Sequence, residues 1–137
     1  MLIRFGVSMP EDLIKKFDFS IKRKGYNTRS EAIRDIIRDY LVEAEWETET
    51  ENVIGTITIV YNHEVREVAN TLTALQHSYH DAIVCTTHVH LDEHNCLEVI
   101  IVKGSADQVR IIADKLISTR GVKHGKLVCT TTGMNLA

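Results

Sequence analysis

No stretch of the 137 residues approaches the roughly 20 consecutive apolar positions that a membrane-crossing helix needs, so a spanning segment is not expected. The opening MLIRFGVSMPEDL also lacks the apolar run of a leader peptide, because Arg4, Glu11 and Asp12 interrupt it. A cytoplasmic protein is the expectation. Proline occurs once and glycine seven times beside 44% hydrophobic residues, a globular rather than a disordered composition. The three cysteines, Cys85, Cys96 and Cys129, are odd in number, far apart and without a CxxC pair, which argues against a disulfide scaffold or a zinc ribbon.

Positive charge is not in excess: the net charge of −3 taken over the whole chain argues against nucleic acid as a partner. The average conceals a division. Residues 1 to 46 hold nine Lys/Arg against eight Asp/Glu and no His or Cys, whereas the remainder is acidic and holds all seven histidines. Between them, Glu47 to Asn52 (ETETEN) contains no apolar residue and reads as a linker, giving domains over 1–47 and 53–137. Some 46 residues without disulfide or metal ligands rarely bury enough apolar surface to fold alone, so the first domain is expected to be stabilised by a second copy.

In that first domain Ile3, Phe5, Val7 and Met9 alternate with Arg4, Gly6 and Ser8, the pattern of a half-buried strand. Pro10 can open a helix, Glu11 and Asp12 suit its first turn, and Leu13, Ile14, Phe17 and Ile21 recur at helical spacing until Gly25. Thr28 and Glu31 have capping-box spacing before a second helix striped by Ala32, Ile33, Ile36, Ile37, Tyr40 and Leu41. One strand per chain lacks a partner, but two chains could pair theirs antiparallel, and a two-stranded ribbon fits the DNA major groove. This segment, above all GYNTRSEAIRDIIRDYL (25–41), resembles the ribbon-helix-helix repressors. The resemblance implies that Arg4, Gly6 and Ser8 face the bases, with Gly6 offering no side chain where relatives offer a polar one. It also implies that the helix start at Thr28, Arg29 and Ser30 holds a phosphate.

The second domain reads as strand 53–61, helix 63–79, strand 82–91, turn, strand 96–103, a helix opened by Ser105 and Gln108 and closed by Gly121, and strand 126–132. That βαββαβ order is the ferredoxin-like sandwich of an ACT-like regulatory domain, and the whole chain is α+β. His88 and His90 share one strand face, and Cys96 opens the adjoining hairpin strand. Two imidazoles and a thiolate make a transition-metal half-site, for which His77, His80 and His94 are candidate fourth ligands, a neighbouring subunit being the expected source. Cys85 and Cys129 read as small core residues, His63 as flanking a helix and His94 as part of the hairpin turn.

QHSYHD (76–81), HVHLDEHNCLEV (88–99) and RGVKHGKL (120–127) together resemble the nickel-responsive transcriptional regulators, over essentially the full chain. The resemblance implies that His77 of another subunit joins His88, His90 and Cys96 around square-planar Ni(II), in a homotetramer that binds double-stranded operator DNA and represses nickel uptake. It further allows a second cation at Glu31 and Asp35 with the main-chain carbonyls of Ile117, Thr119 and Val122. A planar donor set suits Ni(II) or Cu(II) and disfavours Zn(II), but does not separate nickel from copper. Glu98, two residues from Cys96, is the candidate to orient an imidazole. A ribbon-helix-helix regulator of another ligand, copper or an amino acid, is the alternative. A metal store or metalloenzyme fits less well, since four protein ligands leave no open coordination position.

Overall fold

The computed structural model describes residues 1–48 and 51–137; of the expected linker, Glu49 and Thr50 lie outside the described residues. Helix α1 (Glu11–Arg23) starts directly after Pro10, carries Glu11 and Asp12 at its positive end and Lys22 and Arg23 at its negative end, and gives way to Gly25 at φ +94°. Helix α2 (Arg29–Trp46) opens with half of the expected capping box: the Glu31 N–H donates to Thr28 Oγ1 at 3.2 Å, while Glu31 Oε2 reaches one residue further back and accepts from the Asn27 N–H at 3.4 Å.

Residues 1–10 form no strand in the single chain, contrary to the expectation for 2–9. The physical reason is the one that raised the question of a partner: a strand is defined by a ladder, and this chain supplies no second strand for it. All ten residues are exposed, including Ile3, Phe5 and Val7.

The chain divides into two compact units, Met1–Tyr40 and Leu41–Ala137, so the division falls inside α2 and ahead of the acidic segment. Within the first unit only Ile21 and Ala32 are buried among the described residues, and Ile36, Ile37 and Tyr40 are exposed. The last turn of α2 belongs to the second unit because Trp46 is buried there, its indole N–H donating to the Thr130 carbonyl at 2.8 Å.

The second unit is β1 (Asn52–Asn62), α3 (Val68–Ser78), β2 (Ile83–His90), β3 (Asn95–Ser105), α4 (Ala106–Ile117) and β4 (Val122–Thr130), forming one antiparallel sheet in the order β2-β3-β1-β4. This is the expected ferredoxin-like arrangement, with two corrections. Helix α3 starts at Val68 rather than 63, because the chain turns first and Glu67 takes a left-handed conformation at φ 72°. Strand β4 starts at Val122, four residues early, since antiparallel pairing with β1 already holds at Tyr61↔Val122.

Strict alternation along β1 and β3 gives the sheet its two faces. Val53, Ile57, Ile59 and Tyr61 on β1, and Cys96, Ile100 and Val102 on β3, pack under Val68 and Leu72 of α3 and Val109, Ile112, Ala113 and Leu116 of α4. Gly55 permits the close approach of helix and sheet: a β-carbon there would lie 2.7 Å from Val109 and 2.8 Å from Leu127. Ser105 caps α4, its hydroxyl accepting the Gln108 N–H at 3.2 Å. Cys85 and Cys129, expected in the core, are exposed, because they lie on the two edge strands β2 and β4.

Candidate metal centre

Three neighbouring strands converge on one corner of the sheet. The register pairs His90 with Cys96 across β2 and β3, and Tyr61 with Cys96 across β1 and β3. The ladder continues one step beyond β1, where the His63 N–H donates to the His94 carbonyl at 3.0 Å. As a result the Cys96 sulfur lies 3.3 Å from His63 Nδ1 and 3.4 Å from His90 Nδ1. A ligand atom of each of the three residues lies within 4.8 Å of those of the other two. Nitrogen and sulfur donors at these separations fit a transition metal.

His88 stands one pleat along β2, its ring centroid 5.1 Å from that of His90. It is aimed by a carboxylate: Glu98, its cross-strand partner, sets Oε1 3.1 Å from His88 Nδ1. Glu98 is itself pinned, accepting from the Tyr61 hydroxyl at 2.8 Å and, through Oε2, from the Gln76 amide at 3.0 Å. Gln76 in turn accepts from the Thr86 hydroxyl at 2.8 Å. A nearly buried carboxylate is thus tied to three elements, α3, β1 and β2, and holds one edge of the His88 ring.

Burial pushes the Cys96 thiol above its ordinary range, and the nearby Glu98 and Asp92 carboxylates add to the effect. Burial, together with the hydrogen bond to Glu98, pushes the Tyr61 hydroxyl up as well, so it remains a donor. In the turn joining β2 to β3, Asp92 accepts from the Asn95 side chain and from the His94 and Asn95 N–H groups, which lowers its carboxyl to about 2 and fixes the hairpin that carries Cys96.

His77, on the last turn of α3, is exposed and lies outside this cluster. His80 pairs with the adjacent Asp81 at 3.1 Å, and His94 with Glu64 at 2.8 Å. His63 is the residue that sequence reasoning missed. Its link to Cys96 depends on the register of β1 against β3, two strands separated by a helix and a hairpin, and nothing in the local pattern encodes that register.

Comparison with known proteins bears directly on this corner. Residues 54–130 match the NikR C terminal nickel binding domain, and residues 3–44 match the ribbon-helix-helix protein family of the copG type. A protein of Caldanaerobacter subterraneus subsp. tengcongensis, provisionally named a nickel-responsive regulator, is 62% identical over 98% of this chain and 88% of its own length. A protein of Pyrococcus horikoshii with the same provisional name is 58% identical over 98% of both chains. The chain belongs to the nickel-responsive regulator family. Fold alone is shared with an uncharacterized protein of Thermotoga maritima, 20% identical, at a TM-score of 0.52 over 58% of this chain and 98% of that one.

In the ribbon-helix-helix part of this family member, Arg4, Gly6 and Ser8 lie in the exposed first ten residues. Thr28 is engaged as the cap of α2, and Arg29 holds Asp18 through two hydrogen bonds of 2.8 and 2.7 Å. Asp35 accepts from the Tyr26 hydroxyl at 2.6 Å and from Arg38 at 2.9 Å, contacts that lower its carboxyl. In the other unit, the Thr119 carbonyl accepts from the Val122 N–H at 3.0 Å.

Proposed function

We propose that this protein is a nickel-responsive transcriptional repressor, in which Ni(II) held by His88, His90 and Cys96 of one chain and His77 of another controls binding to operator DNA. The single observation that carries the reading is the constellation at the sheet corner: a buried cysteine beside the His90 ring, with His88 oriented by a pinned carboxylate. Neutral imidazoles and a thiolate suit Ni(II), and the family match supplies the choice of metal that geometry alone leaves open against copper.

The placement of α3 supports the intersubunit role of His77. Gln76 turns inward to hold Glu98, and the next residue of a helix is rotated by about 100°, so His77 faces away from its own chain's cluster. Such a histidine is placed for a neighbour. A homotetramer supplies that neighbour, and the sheet face opposite the helices suits assembly, since Val60, Leu97, Val99 and Ile101 line it and exposed Val89 and Val128 extend it. The scant core of the first unit and its unpaired residues 1–10 support a ribbon made by two chains, with Arg4 and Ser8 directed at base edges and the start of α2 at the phosphates.

The regulator is read as a cytoplasmic protein and as no enzyme; among the described residues no helix is long and apolar enough to cross a membrane. Coupling follows from shared chain. The residue next to His77 holds Glu98, so fixing His77 on a partner's metal also fixes α3, which restricts the arrangements open to the tetramer.

Visible absorption of nickel-titrated protein tests the site. Planar low-spin nickel with a thiolate ligand should give d–d and charge-transfer bands in the native protein and none in His77→Ala or Cys96→Ala. Refolding those two variants together should restore a fraction of the bands, because each supplies what the other lacks. Full bands in His77→Ala alone, or none in the mixture, would refute the intersubunit site.

A further inference from the structure

We infer that Asp18 on α1 is a positioning residue for DNA: by holding one edge of the Arg29 guanidinium it aims the other at an operator phosphate, and so raises the preference of the protein for its operator over other duplexes. The inference rests on the proposed reading of a DNA-binding repressor and adds to it a residue that acts through Arg29.

Arg29 opens α2, and its Nε and Nη2 donate to the two oxygens of Asp18, at 2.8 and 2.7 Å. This is the two-point fork that a guanidinium forms and an ammonium does not. It takes two of the five guanidinium N–H donors and leaves three, which have no partner among the described residues. The Arg29 and Ser30 main-chain N–H groups are likewise unpaired among the described residues, because Thr28 caps the Glu31 N–H instead. Free donors of side chain and main chain thus meet at the positive end of α2, beside a cavity of about 490 Å³ that Asp18, Lys22, Thr28 and Arg29 help to line.

Stability does not account for the pair. The Arg29 and Asp18 side chains are 58% and 42% exposed, and ion pairs open to water add little to folding. For binding the pair has two effects. It fixes an otherwise flexible side chain in one orientation, which lowers the ordering cost when a phosphate lies where the free edge points. It also keeps a carboxylate at the start of α2, held ionised by the hydrogen bond from Arg29, which repels a phosphate that arrives in any other place. Phosphate contacts set the register of a protein on the duplex, so an aimed guanidinium favours the one register in which the ribbon also matches the bases. A freed guanidinium would follow the backbone in any register.

Gel shifts with nickel-loaded, full-length protein test this, on an operator recovered by selection from a random pool and on a scrambled duplex of equal length, each at several salt concentrations. Asp18→Asn should tighten binding to the scrambled duplex and steepen its salt dependence by about one released ion or more, because Arg29 is then free to follow any backbone. The ratio of operator to scrambled affinity should fall at least about fivefold, as small effects add over every copy of the pair in the proposed homotetramer. Asp18→Glu, which restores the carboxylate, should recover most of the ratio. Arg29→Lys should lower it with no change of charge, since an ammonium cannot form the fork. Glu11→Gln is the control for charge alone: Glu11 is an exposed acid on the same helix, paired with Lys15 at 2.7 Å, and its loss should leave the ratio within about twofold. An unchanged ratio in Asp18→Asn, or an equal fall in Glu11→Gln, would overturn the inference and leave the repressor reading standing. Native protein that binds neither duplex would refute the repressor reading and the inference with it.

Discussion

One oxygen of Glu98 stands 3.1 Å from Nδ1 of His88, while the other accepts the amide of Gln76, the residue preceding His77 on α3. A single carboxylate therefore touches both the strand that presents two histidines and the helix that presents the third. Its removal should be felt at the metal before it is felt in the fold. Glu98→Gln should lower nickel affinity by about 10- to 100-fold in a competition titration against a chelator, with the planar spectrum preserved at saturation. Affinity within twofold of the native protein would assign Glu98 to the hydrogen-bond network alone.

Nickel binding should depend on pH through Cys96. Burial and the neighbouring carboxylates raise the thiol above its ordinary value of 9.0, so at neutral pH each metal bound as a thiolate complex expels one proton. Apparent affinity should rise about tenfold per pH unit above neutral pH and should continue rising past pH 9 instead of levelling there. A plateau near pH 8 would show a thiol already ionised.

The metal-free protein should lose stability in alkali. Folded Cys96 and Tyr61 both hold their protons more tightly than in the unfolded chain, so their contribution is whole below about pH 9 and is lost as the pH rises through the folded values. Urea midpoints should fall between pH 8 and pH 10.5, and Tyr61→Phe should reduce that fall. An equal fall in the variant would place the alkaline sensitivity elsewhere.

Close packing at Gly55 should separate it from the glycine of the N-terminal segment. Gly55→Ala drives a β-carbon against Val109 and Leu127 and should cost about 1–3 kcal/mol in urea unfolding. Gly6→Ala meets nothing within 4 Å and should leave stability within about 0.5 kcal/mol.

Periodicity carried most of the fold. Alternation along 53–61 and 96–103 and the helical stripe of α4 reappear as buried faces, whereas the stripes of α1 and α2 form as helices in which only Ile21 and Ala32 are buried. The sequence was silent where long-range pairing decides. Trp46 falls inside the first domain expected over 1–47, yet it is buried beside Gly55 and bonded to Thr130, 84 positions away. His63 looked like a residue flanking a helix, and only the β1 to β3 register brings it to Cys96. The strand expected over 2–9 has the alternation of one but no ladder partner among the described residues. His88, His90, Cys96 and Glu98 were legible because they sit on two strands joined by a short hairpin, where spacing alone fixes which side chains meet.

The account turns on nickel controlling DNA binding. An operator can be recovered by selecting duplexes from a random pool with nickel-loaded protein, and its affinity then measured by gel shift at one fixed salt concentration with and without the metal. Nickel should tighten binding by at least about fivefold, the lower end of typical coupling between sites, and His77→Ala should abolish the gain. Equal affinity in both conditions would contradict the account.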